Sequence, residues 1–229
     1  MTTEWKPEGN IQPLWATPIY QNIAKDEEFD IIQEELLSVI SRLKFGEAKG
    51  WGPNSHSLSE KPFDSNCLYD NDCTNTLKFM HRCIMEYLRY LDATPVPYII
   101  SNAWITKTTK GKFAYSHSHG FSDISGVYYI NTNGEDGNLM LENIHDAFAG
   151  NYIYNAMGRI GGRVPAPLCN GILLMWPSNI RHQTQENTTD NDRFSLSFNI
   201  NFNNFLPGNL VTEAWDCNVE GKDFYEKSF

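Results

Sequence analysis

The sequence predicts a mainly β protein with two supporting helices, and three observations carry that reading. Two amphipathic segments of helical period, 26–46 and 74–94, lie in the first half of the 229 residues. From residue 98 the period changes to two. Five short apolar runs then follow, with Gly, Asn, Asp or Pro between most of them. This many short strands suits a sandwich, jelly roll or barrel, with both helices packed on the outside of one sheet, an α+β arrangement. The chain is long enough for one sizeable core, and no repeat or low-complexity tract divides it. A single domain over 1–229 is expected: an N-terminal strand and supporting helices (1–97), a β core (98–205) and a C-terminal extension (206–229).

In chain order, "LWATPIYQNIA" (14–24) reads as a short strand, and Pro18 within it marks an edge or irregular one. "DEEFDIIQEELLSVISRLKFG" (26–46) has acidic residues in its first turn. Ile32, Leu36, Val39 or Ile40, and Leu43 recur at helical spacing. "GWGPNSHSLSEKPFDSN" (50–66) is rich in turn residues and is expected as loop. In "TNTLKFMHRCIMEYLRYLDAT" (74–94), Leu77, Met80, Ile84, Leu88 and Leu91 form one apolar stripe. His81 lies in that helix with no partner at i+4, which argues against a ligand role. The β runs are 98–109, 123–131, 137–143, 171–177 and 193–202.

Composition narrows the function classes. The net charge of −10, with no long Lys/Arg run, leaves no nucleic-acid surface in view. No apolar stretch is long enough for a membrane span, and "MTTEWKPEGNIQPLW" carries no export signal. Cys67, Cys73, Cys83, Cys169 and Cys217 are odd in number and form no CxxC pair. They are expected as reduced thiols of a cytoplasmic protein. Thirteen Phe, eleven Tyr and six Trp suit a β core or an aromatic-lined cleft. A homodimer would be ordinary for a soluble protein, though no surface announces one.

The chemistry centres on "AYSHSHGFSDISGVYYIN" (114–131). In a strand, residues i and i+2 point to the same side, so His117 and His119 can share one cavity. His-x-His alone is a weak metal signal. His182 strengthens it as a third ligand, because an apolar strand ends at Pro177 and a polar turn then delivers His182 in "GILLMWPSNIRHQT". Imidazoles with open positions beside them suit iron, zinc, copper or nickel. Eleven residues on, alternation in "RFSLSFNINF" puts Arg193, Ser195 and Ser197 on one face and Phe194, Leu196 and Phe198 on the other. Such a face is either solvated, or an anion site in which the guanidinium forks a carboxylate and a hydroxyl adds a bond.

Together, "HSH" (117–119), "RHQ" (181–183) and "RFS" (193–195) resemble the iron(II)- and 2-oxoglutarate-dependent oxygenases. Their core is a double-stranded β-helix, a cupin-like jelly roll. More narrowly, "LWATPIY", "HSHGFSDISGVYYI", "PSNIRH" and "RFSLSFN" are similar to a prolyl-hydroxylase-like group of marine bacteria and phages, over roughly 14–202. The resemblance implies Fe(II) on His117, His119 and His182. It implies 2-oxoglutarate held at its distal carboxylate by Arg193, Ser195 and Tyr129, and hydroxylation of a peptide side chain or small molecule with release of succinate and CO2. One departure stands out: the family usually has Asp or Glu where His119 stands, so either three histidines bind the metal or another carboxylate such as Asp123 joins. A cupin-type metal enzyme that does not use 2-oxoglutarate shares the His-x-His and distal His, but has no need of Arg193 with Ser195. A non-catalytic jelly-roll binding protein is the third reading. The long connection 143–170 is expected as a lid, with Arg159, Arg163, Tyr152 and Tyr154 as substrate contacts and His145 at the surface. Asn102 is a candidate for the pocket, and Trp104 reads more naturally as core.

Overall fold

The computed structural model describes residues 17–47, 55–59, 66–91, 98–143 and 162–202. Its elements in order are β1 (Tyr20–Ile23), α1 (Asp26–Arg42), β2 (Phe45–Glu47), β3 (Ser57–Ser59), α2 (Thr74–Tyr90), β4 (Tyr98–Thr108), β5 (Ile124–Asn131), β6 (Leu139–Glu142), β7 (Arg163–Pro165), β8 (Ile172–Pro177), β9 (His182–Thr184) and β10 (Arg193–Phe202). The strands form an antiparallel sheet in the order β1-β8-β5-β10-β4-β3-β2 and a smaller one in the order β7-β6-β9. From β5 the chain passes to the small sheet and returns at β8; it crosses again at β9 and returns at β10. This winding between two facing sheets is the double-stranded β-helix.

Alternation decides which side chains meet the helices and which meet the cavity between the sheets. On β10, Leu196, Phe198 and Ile200 enter the main core, with Phe194 packed against it. Tyr128 and Ile130 of β5 do the same, beside Ile32, Leu36 and Val39 of α1 and Met80, Ile84 and Leu88 of α2. Val127 and Tyr129 point the other way. They join Leu139, Leu174, Trp176 and Ile180 in a second cluster between the sheets.

The two helices brace each other. The Glu35 carboxylate of α1 accepts the backbone N–H groups of Asn75 (3.0 Å) and Thr76 (2.9 Å) in the first turn of α2. Those donors have no partner within their own helix, and an anion there suits the helix dipole. Arg82 forks Glu28 through two 2.8 Å bonds.

Several expectations need correction. The first helix ends at Arg42 rather than 46, because Phe45–Glu47 pairs with Ser57–Ser59 as strands. The same pairing turns part of the expected loop 50–66 into β3. The second helix ends at Tyr90, and Leu91 is 40% exposed, off the buried stripe. Pro18 precedes β1, which is indeed an edge strand. Within 143–170, Arg163–Pro165 is a strand paired with β6. His145, Tyr152, Tyr154, Arg159, Cys217 and the extension 206–229 lie outside the described residues. Cys67, Cys73, Cys83 and Cys169 are free thiols. Among the described residues no helix is long and apolar enough to cross a membrane.

Candidate metal and cofactor site

A cavity of about 560 Å³ opens between the two sheets. Its floor is a ladder of cross-strand rows on β4, β10 and β5. Asn102, Asn199 and Ser125 stand side by side; then Trp104, Ser197 and Val127; then Thr106, Ser195 and Tyr129; then Thr108 beside Arg193. The three histidines cluster at the Asn199 end, and Arg193 anchors the other.

His117, His119 and His182 each place a ring nitrogen within 4.8 Å of the others. The first pair does not sit in a regular strand, as the i, i+2 reading supposed. The 114–123 segment is irregular and tied down by single bridges. His117 exchanges backbone hydrogen bonds with His182 (3.0 and 2.8 Å), and the N–H of His119 donates to the Ser178 carbonyl (3.0 Å). His182 opens β9 shortly after the 178–180 turn, so the bridge to His117 brings the distal imidazole in.

Each imidazole directs Nδ1 at an oxygen. For His117 it is the Tyr115 carbonyl (2.7 Å), for His182 the Ile180 carbonyl (3.1 Å) and for His119 the Asn199 Oδ1 (2.6 Å). Carbonyl oxygens only accept, so each Nδ1 carries the proton and each Nε2 keeps its lone pair. Burial holds all three below the usual histidine pKa: His117 near 4, His119 lowered, His182 well below. Neutral rings protonated at Nδ1 are the state a divalent metal needs. Asp123 is not part of this cluster, and its Oδ2 accepts the backbone N–H of Phe202 (2.8 Å).

Arg193 is 2% exposed. Its Nη1 donates to the carbonyls of Asp136 (2.7 Å) and Gly137, and its Nη2 donates to Thr108 Oγ1 (3.3 Å). Its buried Nε has no hydrogen-bond partner among the described residues. A guanidinium N–H left unpaired in a cavity is costly. The Nε–Nη2 edge is the one a carboxylate can bridge with two bonds. Ser195 and Tyr129 face each other across β10 and β5 in the neighbouring row, and both line the cavity. Among the described lining residues Arg193 is the only formal charge, and no carboxylate is present.

Trp104 lines the cavity rather than serving as plain core; its ring centroid lies 5.8 Å from that of His119. Asn102 also lines it. Arg163 is half-exposed with Nε 3.4 Å from a Glu142 carboxylate oxygen. Three participants escaped the sequence reading. Asn199 continues the Arg193, Ser195, Ser197 alternation by one step, so its signal was present. Ser125 lies just before the "GVYYI" run, behind His119. His56 lies in the turn-rich stretch 50–66, where no period exists to place it. It lines the cavity, its Nδ1 faces the Phe113 carbonyl (3.3 Å), and burial, with the Arg193 charge acting the same way, lowers its pKa to about 4.

Residues 102–199 match the family model described as "Putative 2OG-Fe(II) oxygenase". These residues resemble the core of a 2OG-Fe(II) oxygenase. Solved structures with the same fold include a Pseudomonas putida prolyl-4-hydroxylase, 13% identical over 81% of this chain and 94% of that one, with a TM-score of 0.52. HygX from Streptomyces hygroscopicus, solved with nickel, 2-oxoglutarate and hygromycin B, is 13% identical over 81% and 83%, with a TM-score of 0.56. The 2-oxoglutarate-dependent epimerase SnoN of nogalamycin biosynthesis is 13% identical over 80% and 77%, with a TM-score of 0.57. At such identities the likeness speaks for the fold. No curated protein sequence matches the chain significantly. A core of this family works with iron(II) and 2-oxoglutarate, and the donor set fits both: three neutral imidazoles at one end and an unsatisfied guanidinium N–H at the other.

Proposed function

We propose that this 2-oxoglutarate-dependent oxygenase holds Fe(II) with His117, His119 and His182, holds the distal carboxylate of 2-oxoglutarate with Arg193, Ser195 and Tyr129, and hydroxylates a small molecule or a peptide side chain. One observation carries the reading. A single cavity has three convergent imidazole nitrogens at one end and a buried, unpaired Arg193 Nε at the other, with no carboxylate among its described walls.

When bound, the iron and 2-oxoglutarate supply the oxidising chemistry, with O2 consumed and succinate and CO2 released. The residues do the rest. The backbone bridge between His117 and His182 fixes two ligands relative to each other. Arg193, pinned by the Asp136 and Gly137 carbonyls, fixes the depth and direction of the co-substrate. Leu139, Val127, Trp104 and Trp176 line the walls with apolar surface, which excludes water and strengthens the charge pairing within. The cavity is larger than 2-oxoglutarate requires, which leaves room for the reacting group of the substrate. The four described free thiols suit work in the cytoplasm.

The test is an anaerobic titration with Fe(II) and 2-oxoglutarate, followed by the visible metal-to-ligand charge-transfer band of the chelate. The band is expected only when both are present. Arg193→Ala is expected to abolish it while leaving metal binding intact. Metal binding without a band in the wild-type protein would move the assignment to a cupin-type enzyme.

A further inference from the structure

The three imidazoles are not held in the same way. His117 and His182 direct Nδ1 at main-chain carbonyls two residues back, those of Tyr115 and Ile180. Nearly any sequence supplies such an acceptor. His119 depends on a side chain 80 residues away, Asn199 Oδ1 at 2.6 Å.

That side chain is itself oriented. Asn199 Nδ2 donates to Asn102 Oδ1 (2.8 Å), and the Ser125 hydroxyl lies 3.0 Å from Asn199 Oδ1. The amide therefore presents its oxygen, not its nitrogen, to His119. The Ser125 hydroxyl also lies 2.9 Å from His119 Nδ1 and 2.8 Å from the Ser178 hydroxyl. Ser178 in turn accepts the backbone N–H of His119 at its carbonyl. Asn102, Asn199 and Ser125 form one in-register row across three adjacent strands. All of this polarity is gathered behind one ring, and both Asn199 and Ser125 are buried.

We infer that Asn199 is a positioning residue for the metal centre: by accepting the Nδ1 proton of His119 it fixes the tautomer and ring angle that leave Nε2 as a ligand. The inference rests on the proposed metal set. Unlike the backbone acceptors of the other two ligands, it makes the affinity of the site depend on one exchangeable side chain. His119 is also the ligand that departs from the carboxylate its family usually has. An imidazole in that place needs an acceptor behind it, which a carboxylate ligand does not.

Two variants test it, Asn199→Ala and Asn199→Asp, with two readouts that need no turnover. The first is ¹⁵N–¹H NMR of the imidazoles in metal-free protein, which reports which nitrogen is protonated. The second is Co(II) affinity and the visible Co(II) spectrum. Wild type is expected to show His119 protonated at Nδ1. Asn199→Ala should give a mixture of tautomers and bind Co(II) about 10- to 100-fold more weakly, the usual effect of losing such a partner. Asn199→Asp keeps an acceptor in place, so it should retain the tautomer and recover Co(II) affinity to within a few-fold, with a shifted spectrum.

Two results would overturn the inference. One is Asn199→Ala with wild-type tautomer and wild-type Co(II) affinity. The other is equal loss in both variants, which would assign the effect to the amide N–H that Asn199 donates to Asn102 rather than to the acceptor it offers His119. Wild-type protein that takes up no Co(II) would instead strike at the metal set itself and remove this inference with it.

Discussion

In the proposed site, Arg193 serves the fold and the co-substrate with different edges of one group. Its Nη1 satisfies two buried carbonyls where the chain turns at Asp136 and Gly137, and its Nε remains for a ligand. Arg193→Lys separates these roles. An ammonium keeps the charge but cannot fork a carboxylate and cap both carbonyls. Loss of one charge-assisted bond of about 1.5–3 kcal/mol predicts roughly 10- to 100-fold weaker 2-oxoglutarate binding by titration calorimetry, with Fe(II) or Co(II) affinity unchanged. A variant that binds 2-oxoglutarate as the wild type does would remove Arg193 from the carboxylate site. Residues of this kind were legible in the sequence because strand alternation and spacing expose them. Asn199 was legible by the same alternation, one step further on. Its partnership with His119 was not, since only the fold brings residues 119 and 199 together. His56 left no trace, because the face of a three-residue strand's flank is set by its neighbours rather than by any period of its own.

At the level of elements, the six longer strands could be read from their own sequence runs, whereas β2, β3, β7 and β9 could not. Each spans three residues, and it is the partner strand that makes it a strand. The helix ends were misjudged for a related reason: β2 claims Phe45–Glu47 before the helical pattern runs out. The strand β5 carries the sharpest constraint. Gly126 lies opposite Phe198 in the β5–β10 register. A Cβ there would sit 2.6 Å from Phe198 Cε2 and closer still to Cζ. Gly126→Ala must therefore push the ring or the strand aside, at a cost of about 1–3 kcal/mol. A lower denaturation midpoint with unchanged m-value would show this. Because Ser125 and Tyr129 flank the site on the same strand, weaker metal or 2-oxoglutarate binding should accompany it. A midpoint equal to that of the wild type would mean the core yields there.

For the whole molecule, the order of strands and helices left a sandwich, jelly roll or barrel open and the family resemblance singled out the jelly roll, but the cavity between its sheets could not be anticipated, because its walls come from seven strands and the irregular stretches beside them. That cavity and the helix-packed core together bury most of the protein's histidine. His56, His81, His117, His119 and His182 all have their pKa lowered by burial, His56 and His117 to about 4. In the unfolded chain each would titrate near the ordinary 6.5. Between about pH 6.5 and 4 the unfolded chain thus binds more protons than the fold, so stability must rise with pH across that window. Read downward, the histidine contribution is whole above about 6.5 and is lost as pH falls through the folded values. Each histidine kept neutral in the fold adds up to about 1.4 kcal/mol per pH unit to the slope. Thermal melts of metal-free protein should therefore show Tm declining from about pH 6.5 downward, before carboxylates of ordinary pKa, near 4, begin to titrate. Bound metal stabilises the fold by mass action and competes with the same protons, so the rise in Tm on adding Co(II) should be largest near pH 7.5 and shrink toward pH 4.5. A flat Tm between about pH 6.5 and 5.5 would mean that these rings protonate freely in the folded protein, as they would in a water-filled cleft rather than a closed cavity.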